Sequence, residues 1–252
     1  MELLQFEKEY KIPVYDTGPD GKLSLYSLLN YLQDIASEHA VRLKFGRDDL
    51  MRENRFWVLS RIVADICLWP EWEDTIVART WPRGTDKLFA IRDYEVLYPD
   101  GRHIASGSSS WLVVDRTTKK IQRPDEMLTR FNSEISVKNS LGRNAGKVAP
   151  LSENYTKSDP FKIKASDLDV NLHTNNVIYI KWVTDTYDPG YTMDHVPVSL
   201  EVNYLAESVW GEEVFIKTDR GNNTPSFIHS VFRTSDNKEL CRMRIEWKDC
   251  SH

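Results

Sequence analysis

The 252-residue sequence predicts an α+β fold of two tandem units, each a curved antiparallel sheet wrapped around a long helix. Three observations carry this prediction. An early run has one broad apolar face at helical spacing. Eight further runs are rich in β-branched and aromatic residues and are divided by turn residues. Those eight fall into two sets that read as one pattern written twice, about 140–150 residues apart, far beyond the period of a solenoid repeat.

The first helix opens after Ser24, a capping residue. Leu25, Leu28, Leu29, Leu32, Ile35, Ala36, His39, Ala40 and Leu43 then recur mostly three and four apart, and Gly46 reads as the stop. The first strand set is Arg55–Trp69, Asp74–Pro82, Leu88–Tyr98 and His103–Asp115, separated by Pro-Glu-Trp, Arg-Gly-Thr-Asp and Pro-Asp-Gly. A second helix is read from Thr174 to Tyr187 on Val177, Ile180, Val183 and Tyr187, ended by Pro189-Gly190. The second strand set is Pro197–Tyr204, Glu213–Asp219, Ser226–Thr234 and Glu239–Lys248, with turns at Gly221-Asn222-Asn223 and Ser235-Asp236-Asn237.

The repeat shows in Ala64-Asp65-Ile66 and Trp69–Thr80, set against Val202-Asn203-Tyr204 and Trp210–Thr218. Leu29-Asn30-Tyr31-Leu32-Gln33-Asp34 is likewise set against Ile178-Tyr179-Ile180-Lys181-Trp182. Each half becomes a lead strand, a helix and four antiparallel strands. The expected organisation is a first unit at 1–130, a basic linker at 131–151 and a second unit at 152–252. Two such units can align edge to edge, which protects two sheet edges. This is a double hot-dog arrangement.

Composition is that of a globular protein, with 40% hydrophobic and 28% charged residues. A chain of this length buries roughly 70–75% of its unfolded surface and needs no staples. Cys67, Cys241 and Cys250 are odd in number and lack paired spacing, so reduced thiols and a cytoplasmic setting are expected. The N-terminal residues read as neither signal nor transit peptide, and no apolar run reaches membrane-spanning length. The net charge of −5 argues against nucleic acid. Charge is uneven, however. Residues 116–164 hold eleven Lys/Arg against five Asp/Glu, a local balance of +6 that leaves −11 elsewhere.

Neither cofactor nor metal is expected. His103, His195, His229 and His252 have no ligand spacing, and no glycine-rich phosphate loop is present. Ser108-Ser109-Ser110 lacks the flanking glycines of a nucleophile elbow and reads as strand. His39 reads as a satisfied core histidine. The chemistry concentrates instead at Asp169, Asn171 and His173. If this lead-in is extended, their spacing of two turns all three to one side. They stand just before a helix, where amides and the positive dipole end can hold an oxyanion. The same residue types also serve as plain loop and cap polars.

Asp167-Leu168-Asp169-Val170-Asn171-Leu172-His173-Thr174-Asn175-Asn176-Val177-Ile178-Tyr179-Ile180 resembles the hallmark segment of the plant and bacterial thioesterases that act on acyl-acyl carrier protein (acyl-ACP). Tyr31–Ala36 with His39, Phe56–Arg61, Trp69–Asp74 and Ser108–Asp115 are also similar to that family, so the likeness spans nearly the whole chain. The resemblance implies catalytic roles for Asp169, Asn171 and His173. It adds Glu207, in Tyr204-Leu205-Ala206-Glu207, within the strand after the second helix. Plant members often carry Cys after that Glu; Ser208 stands here, so no thiolate role carries over.

The implied activity is release of free fatty acid and ACP from fatty acyl-ACP, in fatty acid biosynthesis, with the first unit shaping the acyl pocket. Glu207 would activate water as general base, Asn171 and helix-start amides would hold the oxyanion, His173 would position water, and Asp169 would hold its neighbours. A version with Glu207 as nucleophile stays open. The alternatives are an acyl-CoA thioesterase on the same fold and a non-catalytic acyl-binding module. The implied partner is ACP, docking on the basic segment 116–164; the other reading of that segment is a solvated connector. With both copies in one chain, a monomer or a homodimer is expected.

Overall fold

A computed structural model of the chain describes residues 4–124, 138–221 and 225–250. It divides into two compact units, Met1–Leu23 with Ser27–Ala145, and Ser24–Tyr26 with Gly146–His252. The fold is the double hot-dog.

In the first unit the lead strand β1 (Phe6–Lys11) precedes α1 (Leu25–Arg42) and the short α2 (Arg47–Arg52). Then come β2 (Arg55–Ile66), β3 (Thr75–Asp86), β4 (Phe89–Leu97), β5 (His103–Asp115) and the two-residue β6 (Ile121–Gln122). The antiparallel order is β1-β3-β4-β5-β2, with β6 on β5. The apolar stripe of α1 is buried as its spacing demands: Leu28, Leu29, Leu32, Ile35 and Ala36 all lie in the core. His39 is buried too, stacked on Phe6 and 3.0 Å from the Arg92 guanidinium. The opposite face is polar, and Asp34 accepts hydrogen bonds from Lys8 and Tyr10 of β1.

Gly46 does not stop α1. Lys44 does so at φ 61°, with the Lys44 amide on the Val41 carbonyl and the Phe45 amide on the Ala40 carbonyl. These two bonds satisfy the last turn of the helix, with lysine where glycine is usual. Gly46 instead caps α2, and its amide donates to Asp49.

The second unit contains α3 (Asn176–Thr184), α4 (Pro189–Asp194), β9 (His195–Tyr204), β10 (Glu213–Asp219), β11 (Ser226–Arg233) and β12 (Glu239–Asp249). Its antiparallel order is β9-β12-β11-β10. The lead strand is reduced to two stubs on β10, β7 (Thr156–Lys157) and β8 (Phe161–Lys162). Pro160 lies between the stubs and has no N–H to give to a ladder. The helix predicted to reach Tyr187 stops at Thr184. Pro189 opens α4 rather than ending a helix: it holds the first helical position, where a missing N–H costs nothing, and the Asp188 carboxylate accepts from the Gly190 amide. Asn237, at φ 54°, makes the turn before β12. Of the turn read at 221–223, only Gly221 lies within the described residues, as does only part of the linker read at 131–151.

The repeat is visible in backbone bonds. The Ile12 amide reaches the Asp74 carbonyl and Ile163 reaches Glu212, each at 2.9 Å. Gly18 reaches Lys22 and Asp169 reaches His173, each at 2.8 Å. Leu23 reaches Pro70 at 2.8 Å and Thr174 reaches Ser208 at 2.9 Å. This frame sets Leu23 against Thr174, hence Leu29 against Ile180. The helix alignment read from sequence, Leu29 against Ile178, is two residues out, because apolar spacing alone cannot fix a helical register.

Candidate active site

The segment before α3 is not extended. Residues 169–172 form a tight turn, with the Leu172 amide on the Asp169 carbonyl at 3.0 Å and Leu172 at φ 64°. The Asp169 side chain closes it. Its Oδ1 accepts from the amides of Asn171 (2.8 Å) and His173 (3.2 Å), and its Oδ2 accepts from Asn171 Nδ2 (3.3 Å). Asp169 and Asn171 do meet, but through an Asp side chain folding back on its own backbone.

Glu207 lies in the loop between β9 and β10, past the end of the strand at Tyr204. Two backbone contacts hold this loop to the turn: His173 forms an isolated antiparallel bridge with Val209, and Thr174 donates to the Ser208 carbonyl. The result places His173 Nε2 3.5 Å from Glu207 Oε2, with side chains 39% and 56% exposed. The four residues thus stand as two close pairs on two joined loops. Imidazole and carboxylate at this separation can share one water molecule or close directly on each other.

Ser208 points the other way and is buried. Its Oγ is 2.8 Å from Thr174 Oγ1 and 2.7 Å from the Tyr179 hydroxyl, both buried as well. Burial pushes the Tyr179 phenol well above its ordinary value, so it stays protonated. This hydroxyl cluster ties the Glu207 loop to α3; only the serine of the three was singled out by the sequence. Asn175 caps α3, accepting from the Val177 amide. The amides of Thr174, Asn175, Val177 and Ile178 are thereby all engaged, by Ser208, Asp167 and Asn175. Four of the helix-start amides expected to hold an oxyanion therefore have protein partners, and Asn171 Nδ2 already gives one bond to Asp169 Oδ2.

Models of the acyl-ACP thioesterase N-terminal domain and C-terminal domain match residues 3–131 and 152–249. The chain belongs to the acyl-ACP thioesterase family. It is 25% identical to a chloroplastic palmitoyl-acyl carrier protein thioesterase of Cuphea hookeriana and 26% identical to one of Gossypium hirsutum. Each comparison covers 97% of this chain but only 62% and 64% of those relatives, so the chain spans less than two thirds of their length. The crystal structure of an acyl-ACP thioesterase from Bacteroides thetaiotaomicron superimposes with a TM-score of 0.86 at 22% identity, covering 97% of this chain and 98% of that one. The 12:0-ACP thioesterase from Umbellularia californica gives 0.85 at 22% identity, covering 99% and 98%. At that identity the likeness shows the fold.

In this acyl-ACP thioesterase family member the four candidate residues all lie within the C-terminal domain match. The first unit keeps the backbone frame without the chemistry. By the bonds given above, Gly18, Asp20, Lys22 and Trp69 occupy the positions of Asp169, Asn171, His173 and Glu207.

Proposed function

We propose that the chain hydrolyses the thioester of fatty acyl-ACP, releasing free fatty acid and ACP in fatty acid biosynthesis. The observation that carries this reading is the approach of His173 to Glu207 on two joined loops, in a chain matched along most of its length by the family's two domains. The thiol of the carrier's phosphopantetheine is a good leaving group, with a pKa near that of cysteine, about 8.5, so little acid assistance is needed. What remains is to activate water and to hold the negative carbonyl oxygen. Glu207 takes the proton of a water positioned with His173, a role worth roughly 10²–10⁴-fold. Asn171, steadied by Asp169, donates to the carbonyl oxygen, and losing one such donor costs about 10²–10³-fold. Docking of the acidic carrier falls to the basic segment 116–164, where Lys119, Lys120 and Arg123 are exposed. Three free cysteines are in keeping with a reducing cytoplasm.

The test compares hydrolysis of one acyl chain on ACP and on coenzyme A. Faster turnover on coenzyme A would move the activity to that carrier, and no turnover of any thioester would leave an acyl-binding module. A single turnover in ¹⁸O-water separates the roles of Glu207: label in the enzyme carboxylate would sink direct water attack.

A further inference from the structure

Five large apolar side chains on the two site loops face solvent, of which Val170 and Leu172 share the turn of His173 and Val209 is its bridge partner. Val170 is 76% exposed, Leu172 70% and Val209 41%. Leu172 carries a double penalty, because its φ of 64° is a conformation that side chains with a Cβ rarely adopt. Exposure means that no packing compensates for the strain. A residue held in that state beside a candidate catalytic pair points to function.

The first unit supplies the internal control. At the same frame positions it has Pro19, Gly21 and Glu71, and Gly21 takes the left-handed turn at φ 75°. The backbone therefore needs no apolar side chain at the positions of Leu172 and Val209. The unit that holds Asp169, Asn171, His173 and Glu207 has an aliphatic side chain at all three positions, and the unit that lacks those residues keeps only the ring of Pro19. Val209 stands directly opposite His173 in the antiparallel bridge, so their side chains share a face, and Leu172 is the residue before His173.

We propose that Val170, Leu172 and Val209 form an apolar rim that seats the pantetheine arm of the thioester against His173 and Glu207. This rests on the reading of the site as a thioesterase. The group bonded to the reacting sulfur must lie beside the pair, and in acyl-ACP and acyl-CoA alike that group is the pantetheine arm. The arm alternates methylene segments with two amides. It gains from apolar contact on one side while its amides stay hydrated on the other, which suits an exposed rim. An acyl chain laid there would keep half its surface in water.

The experiment measures steady-state kinetics of Leu172→Gly and Val209→Thr with one acyl group carried on ACP, on coenzyme A and on 2-mercaptoethanol, which lacks the arm. Glycine relieves the strained turn, so the thermal midpoint of Leu172→Gly holds or rises. Its KM rises about tenfold on both full-arm substrates, the effect of losing most of one leucine contact, with a smaller rise for Val209→Thr. On the 2-mercaptoethanol ester neither KM changes. An unchanged KM on the full-arm substrates overturns the rim, as does an equal rise on the short ester or a rise confined to ACP. A wild-type chain inert on all three overturns the thioesterase reading and the rim with it.

Discussion

His173 Nε2 and Glu207 Oε2 lie 3.5 Å apart, although 34 positions separate the two residues in the chain. A single backbone bridge, His173 with Val209, and the bond from Thr174 to Ser208 bring them together. Glu207→Gln keeps the size of the side chain and removes its basicity. We expect kcat on acyl-ACP to fall by roughly 10²–10⁴-fold. Because Glu207 is exposed, stability should change by less than about 0.5 kcal/mol in urea unfolding.

Asp169 holds the turn rather than the substrate. Asp169→Ala removes the acceptor for two amides and for the Asn171 side chain, and Asp169→Asn keeps one acceptor oxygen. The alanine variant should lose about 1 kcal/mol of stability and at least about tenfold in kcat, as expected when a positioned donor drifts. The asparagine variant should retain more of both. Equal losses in the two variants would rule out the turn-holding role.

Ser208 is buried between Thr174 and Tyr179. Ser208→Ala strips a partner from two buried hydroxyls and should cost about 1–3 kcal/mol, with kcat of the folded enzyme little changed. Ser208→Cys places a thiol in the same buried position. Its activity should be insensitive to iodoacetamide, and rapid inactivation would show that the side chain reaches the site.

His229 is fully buried, 2.7 Å from the Tyr187 hydroxyl and 2.9 Å from Thr218 Oγ1. Burial, aided by the charge of Arg220, pushes its pKa down to about 3. The unfolded imidazole takes its proton near pH 6.5, the native one only near pH 3, so between these values unfolding binds a proton. This group therefore leaves stability undiminished above pH 6.5 and lowers it as the pH falls toward 3, by about 1.4 kcal/mol per unit. His229→Gln should flatten the stability–pH profile by that slope between pH 6 and 4, measured by urea unfolding. An unchanged profile would mean that the imidazole is protonated in place.

Reversing Lys119, Lys120 and Arg123 to Glu should raise KM for acyl-ACP at low salt and leave acyl-CoA hydrolysis unaffected. A KM for acyl-ACP that does not move would clear these positions of docking.

Much of this molecule is legible in one dimension, because the signals are local. The stripe from Leu28 to Ala36 marks α1, and His103–Asp115 and Glu213–Asp219 were read to the residue as strands. The duplication showed because both units kept the Trp-containing turn before β3 and β10. Asp169, Asn171, His173 and Glu207 could be named from a resemblance, but their arrangement could not. Strand periodicity predicted an extended lead-in, and the structure has a turn, since the Asp169 carboxylate competes for amides that a strand would give elsewhere. Lys44 in place of Gly46, and Pro189 as a helix start, follow the same logic: a breaker's role depends on which partner its neighbours' amides find. The approach of Glu207 to His173 and the burial of Ser208 are set by contacts between segments far apart in the chain, and no local pattern encodes them.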